Sequence, residues 1–195
     1  WEGKTTSELA TALMTEETKK AMEHNIFTPG NYFYNGVGHV TVQYEKVLAI
    51  GYRGLIQEMQ GELDRCNPGD GDYCTKSQFL KAAIISCEAV IRYARRYALL
   101  AGKEAAACTD SARKQELLQI AANCARVPEH GATTFHEACQ SFWKVVALIQ
   151  LESSGHSISP GRFDQYMYPY YKKDLEAGKL SREFAQELID CIWVK

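Results

Sequence analysis

The sequence has little of what marks a membrane protein, a nucleic-acid-binding protein or a metalloprotein. Its longest apolar run, residues 145–151, is interrupted by Gln150 and is far shorter than the roughly 18 to 20 residues of a membrane span. The formal net charge of −2 gives no general support for binding nucleic acid. The one local basic group, Arg92, Arg95 and Arg96, is expected to solvate a helix face.

Seven cysteines include no C-x-x-C pair and no histidine at zinc-finger spacing, which argues against a metal centre or a disulfide framework. We expect a cytoplasmic protein with no membrane and no nucleic-acid partner.

The two ends of the chain lack the features of natural termini. Trp1 is not an initiator Met, and no basic and apolar leader follows it. At the other end, Lys195 closes an apolar helical pattern that no Gly, Pro or polar tail terminates. A length of 195 residues, with 46% hydrophobic and 24% charged residues, suits a globular domain. We therefore predict that residues 1–195 are an incomplete segment of one large domain.

Most of the chain has the three- and four-residue apolar spacing of helices, so the predicted fold class is mostly α. A stripe that includes Phe79, Leu80 and Ile91 predicts one wide buried face in the third helix. The helix over residues 134–153 is apolar on two sides, which is typical of burial inside a larger structure. Strand content is predicted to be close to nil, and an extended stretch near Ser157 is expected to pair only with strands outside this chain. The predicted helices cover residues 6–24, 42–63, 76–107, 111–126, 134–153, 162–176 and 182 onward.

Two polar loops next to predicted helices combine histidine with glycine. The first is Asn35-Gly36-Val37-Gly38-His39, and the second is Ser154-Gly155-His156-Ser157. Glycine lets the backbone approach a small ligand closely, and serine hydroxyls both donate and accept hydrogen bonds. The residues alone leave two roles open: a small-molecule site, or histidines that only satisfy backbone groups at helix ends.

Motifs that would define several catalytic classes are missing. Gly36-x-Gly38 lacks the preceding strand and the third glycine of a dinucleotide site, and no G-x-S-x-G nucleophile elbow occurs. His136 and Glu137 do not form a zinc motif, because position 140 is Gln140 rather than histidine. Arg162 and Asp164 lie at a predicted helix start, where we assign them a structural ion pair.

A long motif in the last third of the chain points to a family. Residues 159–171 read Ser-Pro-Gly-Arg-Phe-Asp-Gln-Tyr-Met-Tyr-Pro-Tyr-Tyr. This sequence resembles the S-x-G-R-x-D-Q-x-x-x-P-Y-Y signature of the glycyl radical enzymes related to pyruvate formate-lyase. Agreement extends to residues 35–48, 85–91 and 128–143. The chain resembles the amino-terminal part of the family's large domain, in the branch of glycerol and propanediol dehydratases, hydroxyproline dehydratase and choline trimethylamine-lyase.

The resemblance implies that the chain is the helical amino-terminal portion of a ten-stranded α/β barrel. In the family, that barrel holds a Cys on one loop and a radical-bearing Gly on another. Both motifs, G-C-x-E and R-V-x-G, are absent here, since Ser86-Cys87-Glu88 reads as mid-helix and Tyr52-Arg53-Gly54-Leu55 is a different pattern. We therefore expect no catalytic residue in this chain and no activity of the isolated segment.

The chemistry implied by the resemblance begins outside this chain. An activating enzyme that uses S-adenosylmethionine and an iron–sulfur cluster installs the glycyl radical, which oxidises the Cys to a thiyl. The thiyl takes a hydrogen atom from the substrate carbon that bears a hydroxyl, and the Glu of the Cys motif helps to expel the neighbouring group. No cofactor is expected to bind this chain directly. The implied partners are a small-molecule substrate, the radical-activating enzyme and a second copy in a homodimer of the full protein, with a bacterial microcompartment as an alternative setting.

The predicted activity is cleavage of choline to trimethylamine and acetaldehyde by a glycyl radical lyase. The resemblance places His39, His156 and Ser157 in the substrate pocket, where they would orient the substrate by hydrogen bonding. The first alternative is a glycyl radical diol dehydratase that acts on glycerol or 1,2-propanediol. The second alternative is a non-catalytic helical scaffold fragment.

One departure from the choline lyase pattern concerns the site for the trimethylammonium group. The resemblance leads us to expect a Tyr and an Asp eight residues apart, and Phe27 and Asn35 stand at those positions. Aromatic faces and carboxylates hold such a cation, so the neutral Asn35 weakens the choline assignment. Tyr34 is an alternative source of an aromatic face.

Overall fold

The computed structural model describes residues 6–28, 39–153 and 158–194. Within these ranges the chain is mostly α, as predicted, and no helix there is long and apolar enough to cross a membrane. The elements are α1 (Thr6–Ala12), α2 (Glu16–Glu23), β1 (Val40–Thr41), α3 (Tyr44–Asp64), α4 (Tyr73–Ala107), α5 (Ser111–Arg126), α6 (Phe135–Ser153), β2 (Ile158–Ser159), α7 (Phe163–Glu176) and α8 (Arg182–Val194).

The chain divides into two compact units. The first combines Trp1–Thr41 with Ile149–Ser159, and the second combines Val42–Leu148 with Pro160–Lys195. In the first unit, the single helix predicted over residues 6–24 is wrong, because α1 ends at Ala12 and α2 begins at Glu16. Thr15 causes the new start, since its hydroxyl oxygen accepts a hydrogen bond from the backbone nitrogen of Thr18 at 3.2 Å. A threonine cap of this kind competes with continuation of the helix.

A two-stranded parallel ladder completes the first unit. Val40 pairs with Ile158, and Thr41 pairs with Ser159. The expectation that the stretch near Ser157 would pair only with strands outside this chain is therefore wrong. Each strand is only two residues long, so neither shows the alternation by which a sequence reveals a strand.

In the second unit, α3 is broken at Gly51, whose φ of 64° and ψ of 178° are not helical. The segment that precedes α6 lies in the break: the backbone nitrogens of Tyr52 and Arg53 donate to the carbonyls of Pro128 and Glu129 at 2.8 Å. A Cβ at Gly51 would lie 2.5 Å from the Glu129 carbonyl oxygen. Only glycine accommodates both this conformation and this close approach.

The long helix α4 packs against α3 and α5. The sequence predicts its extent closely, but the buried face is narrower than the predicted stripe. Leu80 and Ile91 are buried, whereas Phe79 is 71% exposed, which corrects its assignment to the core. A helix of 35 residues presents only one side to its neighbours, and position 79 lies outside that face, about 100° around the helix from Leu80. Asp110 caps α5 as predicted, accepting a hydrogen bond from the backbone nitrogen of Arg113 at 2.9 Å.

The core of the second unit lies where α3, α6, α7 and α8 meet. Its helix α6 starts at a capping box, in which the Glu137 nitrogen donates to the Thr134 hydroxyl and the Glu137 carboxylate accepts from the Thr133 nitrogen. From Phe135 to Ile149 both sides of α6 are buried or half-buried, as the apolar pattern predicts, whereas Gln150 and Leu151 are exposed. The buried residues of this cluster are Leu48, Phe135, Ala138, Cys139, Met167, Leu180 and Ala185.

Candidate functional site

The two histidine-containing loops lead into the paired strands of the first unit. His39 is exposed and directly precedes β1, and Ser157 directly precedes β2 in the sequence. Because β1 and β2 run parallel with Val40 opposite Ile158, the chain enters both strands from the same end. Tyr34, Asn35, His156 and Ser157 lie outside the described residues, so their place in a substrate site stays a prediction.

Phe27 lies in the segment that follows α2. This segment turns at Asn25, whose φ of 53° is left-handed, and the side chain of Phe27 is 44% exposed. Asparagine tolerates that conformation better than other residues with side chains. An aromatic face is thus available on the first unit, and its contact with a substrate stays a prediction.

The Pro160-Gly161-Arg162 turn is built from residues of the signature motif. Gly161 has a φ of 66°, the left-handed conformation that favours glycine, and α7 starts two residues later. Arg162 donates from Nε and Nη2 to the Asp164 carboxylate at 3.2 and 3.1 Å. This hydrogen bonding lowers the pKa of Asp164, although both side chains are exposed. The pair thus lies at the surface of the second unit, where solvent screens it.

Aromatic side chains hold the turn at residues 160–162 in place. The Tyr166 hydroxyl donates to the Pro160 carbonyl at 2.6 Å, and its ring stacks on Tyr44 with centroids 5.5 Å apart. The Phe142 ring also packs against Tyr44, with centroids 4.8 Å apart. Burial raises the pKa of Tyr44 to about 12 and raises that of Tyr166 as well. Both phenols therefore stay protonated near neutral pH and are not suited to proton abstraction. The Tyr166 hydroxyl serves as a hydrogen-bond donor, whereas the buried Tyr44 hydroxyl has no partner among the described residues and Tyr44 contributes packing.

A basic cleft of the second unit was not predicted from the sequence. It has a volume of about 210 Å³ and is lined by Arg53, Glu88, Ile91, Arg92 and Arg95. Glu129 beside it is buried and accepts hydrogen bonds from Arg53 at 2.7 Å and from Arg95 at 2.8 and 2.9 Å.

The ion pairs of this cleft correct the reading of Arg95. Arg95 does not only solvate a helix face, since it neutralises a buried carboxylate. Burial acts to raise the pKa of Glu129, but the hydrogen bonds and charges of the two arginines hold it below its usual value. Partners 34 and 76 residues away leave no local pattern, which is why sequence reasoning missed this cluster.

The described residues offer few groups suited to metal binding or to thiol chemistry. Across residues 6–28, 39–153 and 158–194, no group of three or more His, Cys, Asp or Glu side chains could hold a metal ion. All seven cysteines are free thiols. Cys87 lies in the middle of α4, and burial raises its pKa, so it is held as a thiol rather than a thiolate.

Comparison with known proteins places the chain in a family. The pyruvate formate lyase-like family model matches residues 1–195, and the chain belongs to that family. A solved structure on 1,2-propanediol dehydration in Roseburia inulinivorans is 65% identical with a TM-score of 0.85, covering 100% of this chain and 23% of that one. The B12-independent glycerol dehydratase of Clostridium butyricum, with glycerol bound, is 54% identical with a TM-score of 0.82, covering 100% of this chain and 24% of that one.

A curated relative has a related activity. The (2S)-3-sulfopropanediol dehydratase of Klebsiella oxytoca is 40% identical over 100% of this chain and 24% of its own length. The chain therefore spans about a quarter of the length of the relatives it matches. The predicted family and its amino-terminal helical portion are confirmed. The choline-specific prediction is not supported, and the diol dehydratase alternative agrees better with these relatives.

Proposed function

We propose that the full protein is a glycyl radical diol dehydratase that converts 1,2-propanediol into propanal and water. The observation that carries this proposal is the 65% identity, over the whole chain, to the structure on 1,2-propanediol dehydration. Identity to the glycerol dehydratase is lower, at 54%, which favours the diol with a methyl group over glycerol.

The residues of this chain would bind and orient the diol. His39 and Ser157 precede paired strands that the chain enters from one end, which supports a shared role for the two loops. A diol offers two neutral hydroxyl groups, and histidine, serine and asparagine side chains suit them because each donates and accepts hydrogen bonds. His156 would complete this polar set, and Phe27 and Tyr34 would line the apolar side of the substrate.

The same residues suit choline less well. A quaternary ammonium group makes no hydrogen bonds and is held by aromatic faces and negative charge. Asn35 provides an amide where a carboxylate is expected, and it therefore supplies no negative charge. The lack of a negative charge at position 35 therefore favours a neutral diol over choline.

The radical reaction itself would be supplied by the Cys and Gly motifs of the family, which this chain does not contain. Cys87 is unsuited to the role of the family's reactive Cys, since it is embedded in the 35-residue helix α4 rather than placed on a loop. The part of the protein described here would therefore set which substrate is bound and in what orientation, and the activating enzyme would install the radical.

The proposal is tested with the full protein, activated anaerobically by its activating enzyme until a glycyl radical is visible by electron paramagnetic resonance. Incubation with 1,2-propanediol should yield propanal, and glycerol should yield 3-hydroxypropanal more slowly. Loss of one hydrogen bond to the substrate in His39→Ala should lower kcat/KM by about 10- to 100-fold. The matched control is His24→Ala, at an exposed histidine of the first unit, which should leave the rate unchanged. A radical-bearing protein that turns over neither diol would overturn the proposal.

A further inference from the structure

Lys144 on α6 is a cation buried without a counter-charge. The residue is 5% exposed, and its Nζ atom is sealed from solvent, with no hydrogen-bond partner in the described part of the chain. Among the residues that the structure describes, no carboxylate lies within ion-pair distance of it. Removing an ammonium group from water is strongly unfavourable unless an acceptor replaces the water. The buried positive charge of Lys144 therefore requires a partner that accepts its hydrogen bonds.

Lys144 lies over the aromatic ring of Tyr97 of α4. Nζ lies 5.3 Å from the centre of the Tyr97 ring. Such a contact offsets only part of the cost of burying the charge. Tyr97 is itself 47% exposed, and its hydroxyl accepts a hydrogen bond from the Tyr93 hydroxyl at 3.2 Å. The half-exposed Tyr97 ring thus separates the Lys144 ammonium group from the surface of the second unit.

Ser141 supplies a second unused donor at the same place on α6. It is 1% exposed, and its hydroxyl also has no hydrogen-bond partner within residues 6–28, 39–153 and 158–194. Positions 141 and 144 are three residues apart, so their side chains leave α6 on the same face. Unpaired buried donors are rare in native proteins, and two on one turn of a helix point to one missing acceptor. A carboxylate fits both, because its two oxygens accept from an ammonium group and a hydroxyl together.

We propose that Lys144 and Ser141 form a docking site for an Asp or Glu side chain from the part of the full protein outside residues 1–195, reached when the Tyr97 ring turns aside. The chain covers only 23% and 24% of the lengths of its relatives, which leaves most of the protein to provide that side chain. The proposal rests on the full protein having a comparable length. It does not depend on which substrate is used.

The test is thermal unfolding of the full protein without substrate or radical, so that its outcome is independent of catalytic activity. At pH 7.5, Lys144→Met should lower Tm by several degrees, while Lys144→Arg should retain most of the stability because the positive charge stays. The deficit of Lys144→Met should shrink as the pH falls below about 4, where a carboxylate takes up a proton and the ion pair is lost. Lys114→Met, at an exposed lysine of α5, is the matched control and should stay within about 1 °C of the parent.

Ser141→Ala tests the site with the charge in place. It should lower Tm less than Lys144→Met does, and it remains informative if Lys144→Met does not fold. A Lys144→Met protein at least as stable as the parent would show that the cation has no partner and would overturn the proposal. A deficit that stays the same from pH 7.5 down to well below pH 4 would also overturn it, because lost packing alone does not depend on pH.

Discussion

Arg95 of α4 binds the buried carboxylate of Glu129 with two hydrogen bonds, from Nε at 2.9 Å and from Nη2 at 2.8 Å. The backbone carbonyl of Glu129 meanwhile accepts from the Arg53 nitrogen at the break in α3. One residue therefore ties the segment before α6 to two helices, through its side chain and its main chain. The described residues of this segment and of α3 are held in place by this arrangement.

Loss of the Glu129 charge should destabilise the second unit. Glu129→Gln leaves two arginines without a counter-ion, and we expect a cost of about 1 to 3 kcal/mol, reduced from the value for a fully buried pair because both arginines are partly exposed. Urea unfolding at pH 7 measures it. Glu58→Gln, which breaks the exposed pair with Lys46, is the control and should cost less than about 1 kcal/mol. Equal effects of the two substitutions would contradict the assignment.

The break in α3 predicts opposite outcomes for two glycines of the same helix. Gly51→Ala should destabilise the protein by more than about 2 kcal/mol, because alanine is strained at a φ of 64° and its Cβ meets the backbone of Glu129 and His130. Gly61→Ala should instead stabilise by about 0.5 to 1 kcal/mol, since nothing lies near its Cβ position. Thermal melts of the two variants measure this difference in sign, and a stable Gly51→Ala protein would argue against the broken helix.

A carboxylate of α7 caps the start of α6. Asp174 is 4% exposed, and its Oδ2 accepts from the Phe135 backbone nitrogen at 2.7 Å. Asp174→Ala leaves that buried donor unpaired and should cost about 2 to 3 kcal/mol, whereas Asp174→Asn retains an acceptor and should cost about 1 kcal/mol. The exposed cap Asp110 offers a comparison, for which Asp110→Ala should cost about 1 kcal/mol in a urea titration. Finding Asp174→Ala no worse than Asp110→Ala would count against a buried cap.

His136 should make stability depend on pH below neutrality. It packs edge-on against Phe184 of α8 at 5.6 Å, and burial lowers its pKa despite the nearby Glu137. Since the folded pKa lies below the unfolded one, the unfolded chain binds a proton first. The contribution of the neutral imidazole is fully present above the unfolded pKa of about 6.5 and is lost as the pH falls below that value.

His136→Gln should therefore flatten the fall in the urea midpoint between pH 7.5 and pH 5.5. His24→Gln, at an exposed histidine, should leave the slope unchanged. An unaltered slope in His136→Gln would show that this histidine does not carry the pH dependence.

The helices were largely predictable because their apolar spacing and caps are local signals. The cap Asp110 and the turn before Tyr73 are local sequence signals for the start of a helix. The last helix, α8, begins at the predicted Arg182. The split between α1 and α2 was missed because charged and apolar residues continue across it, and Thr15 is the sole marker. Gly51 was also missed, since its conformation depends on a segment nearly 80 residues away in the sequence.

The candidate site was predictable only in part. His39 and Ser157 could be nominated from the family motif, but their connection depends on the pairing of Val40 with Ile158, two residues that carry no strand pattern. The Glu129 cluster and the unpartnered Lys144 arise from contacts between distant helices. The sequence predicts choline as the substrate, and the relatives agree better with the diol dehydratase alternative, which the neutral Asn35 also favours.

The central claim is that the full protein acts on a diol, and a direct competition tests it most directly. The anaerobically activated protein is given equal concentrations of 1,2-propanediol and choline in one reaction, and propanal, acetaldehyde and trimethylamine are measured at early times. The ratio of products reports the ratio of kcat/KM values. We predict propanal in more than about tenfold excess over trimethylamine, corresponding to at least about 1.4 kcal/mol of preference. Trimethylamine as the main product would contradict the account.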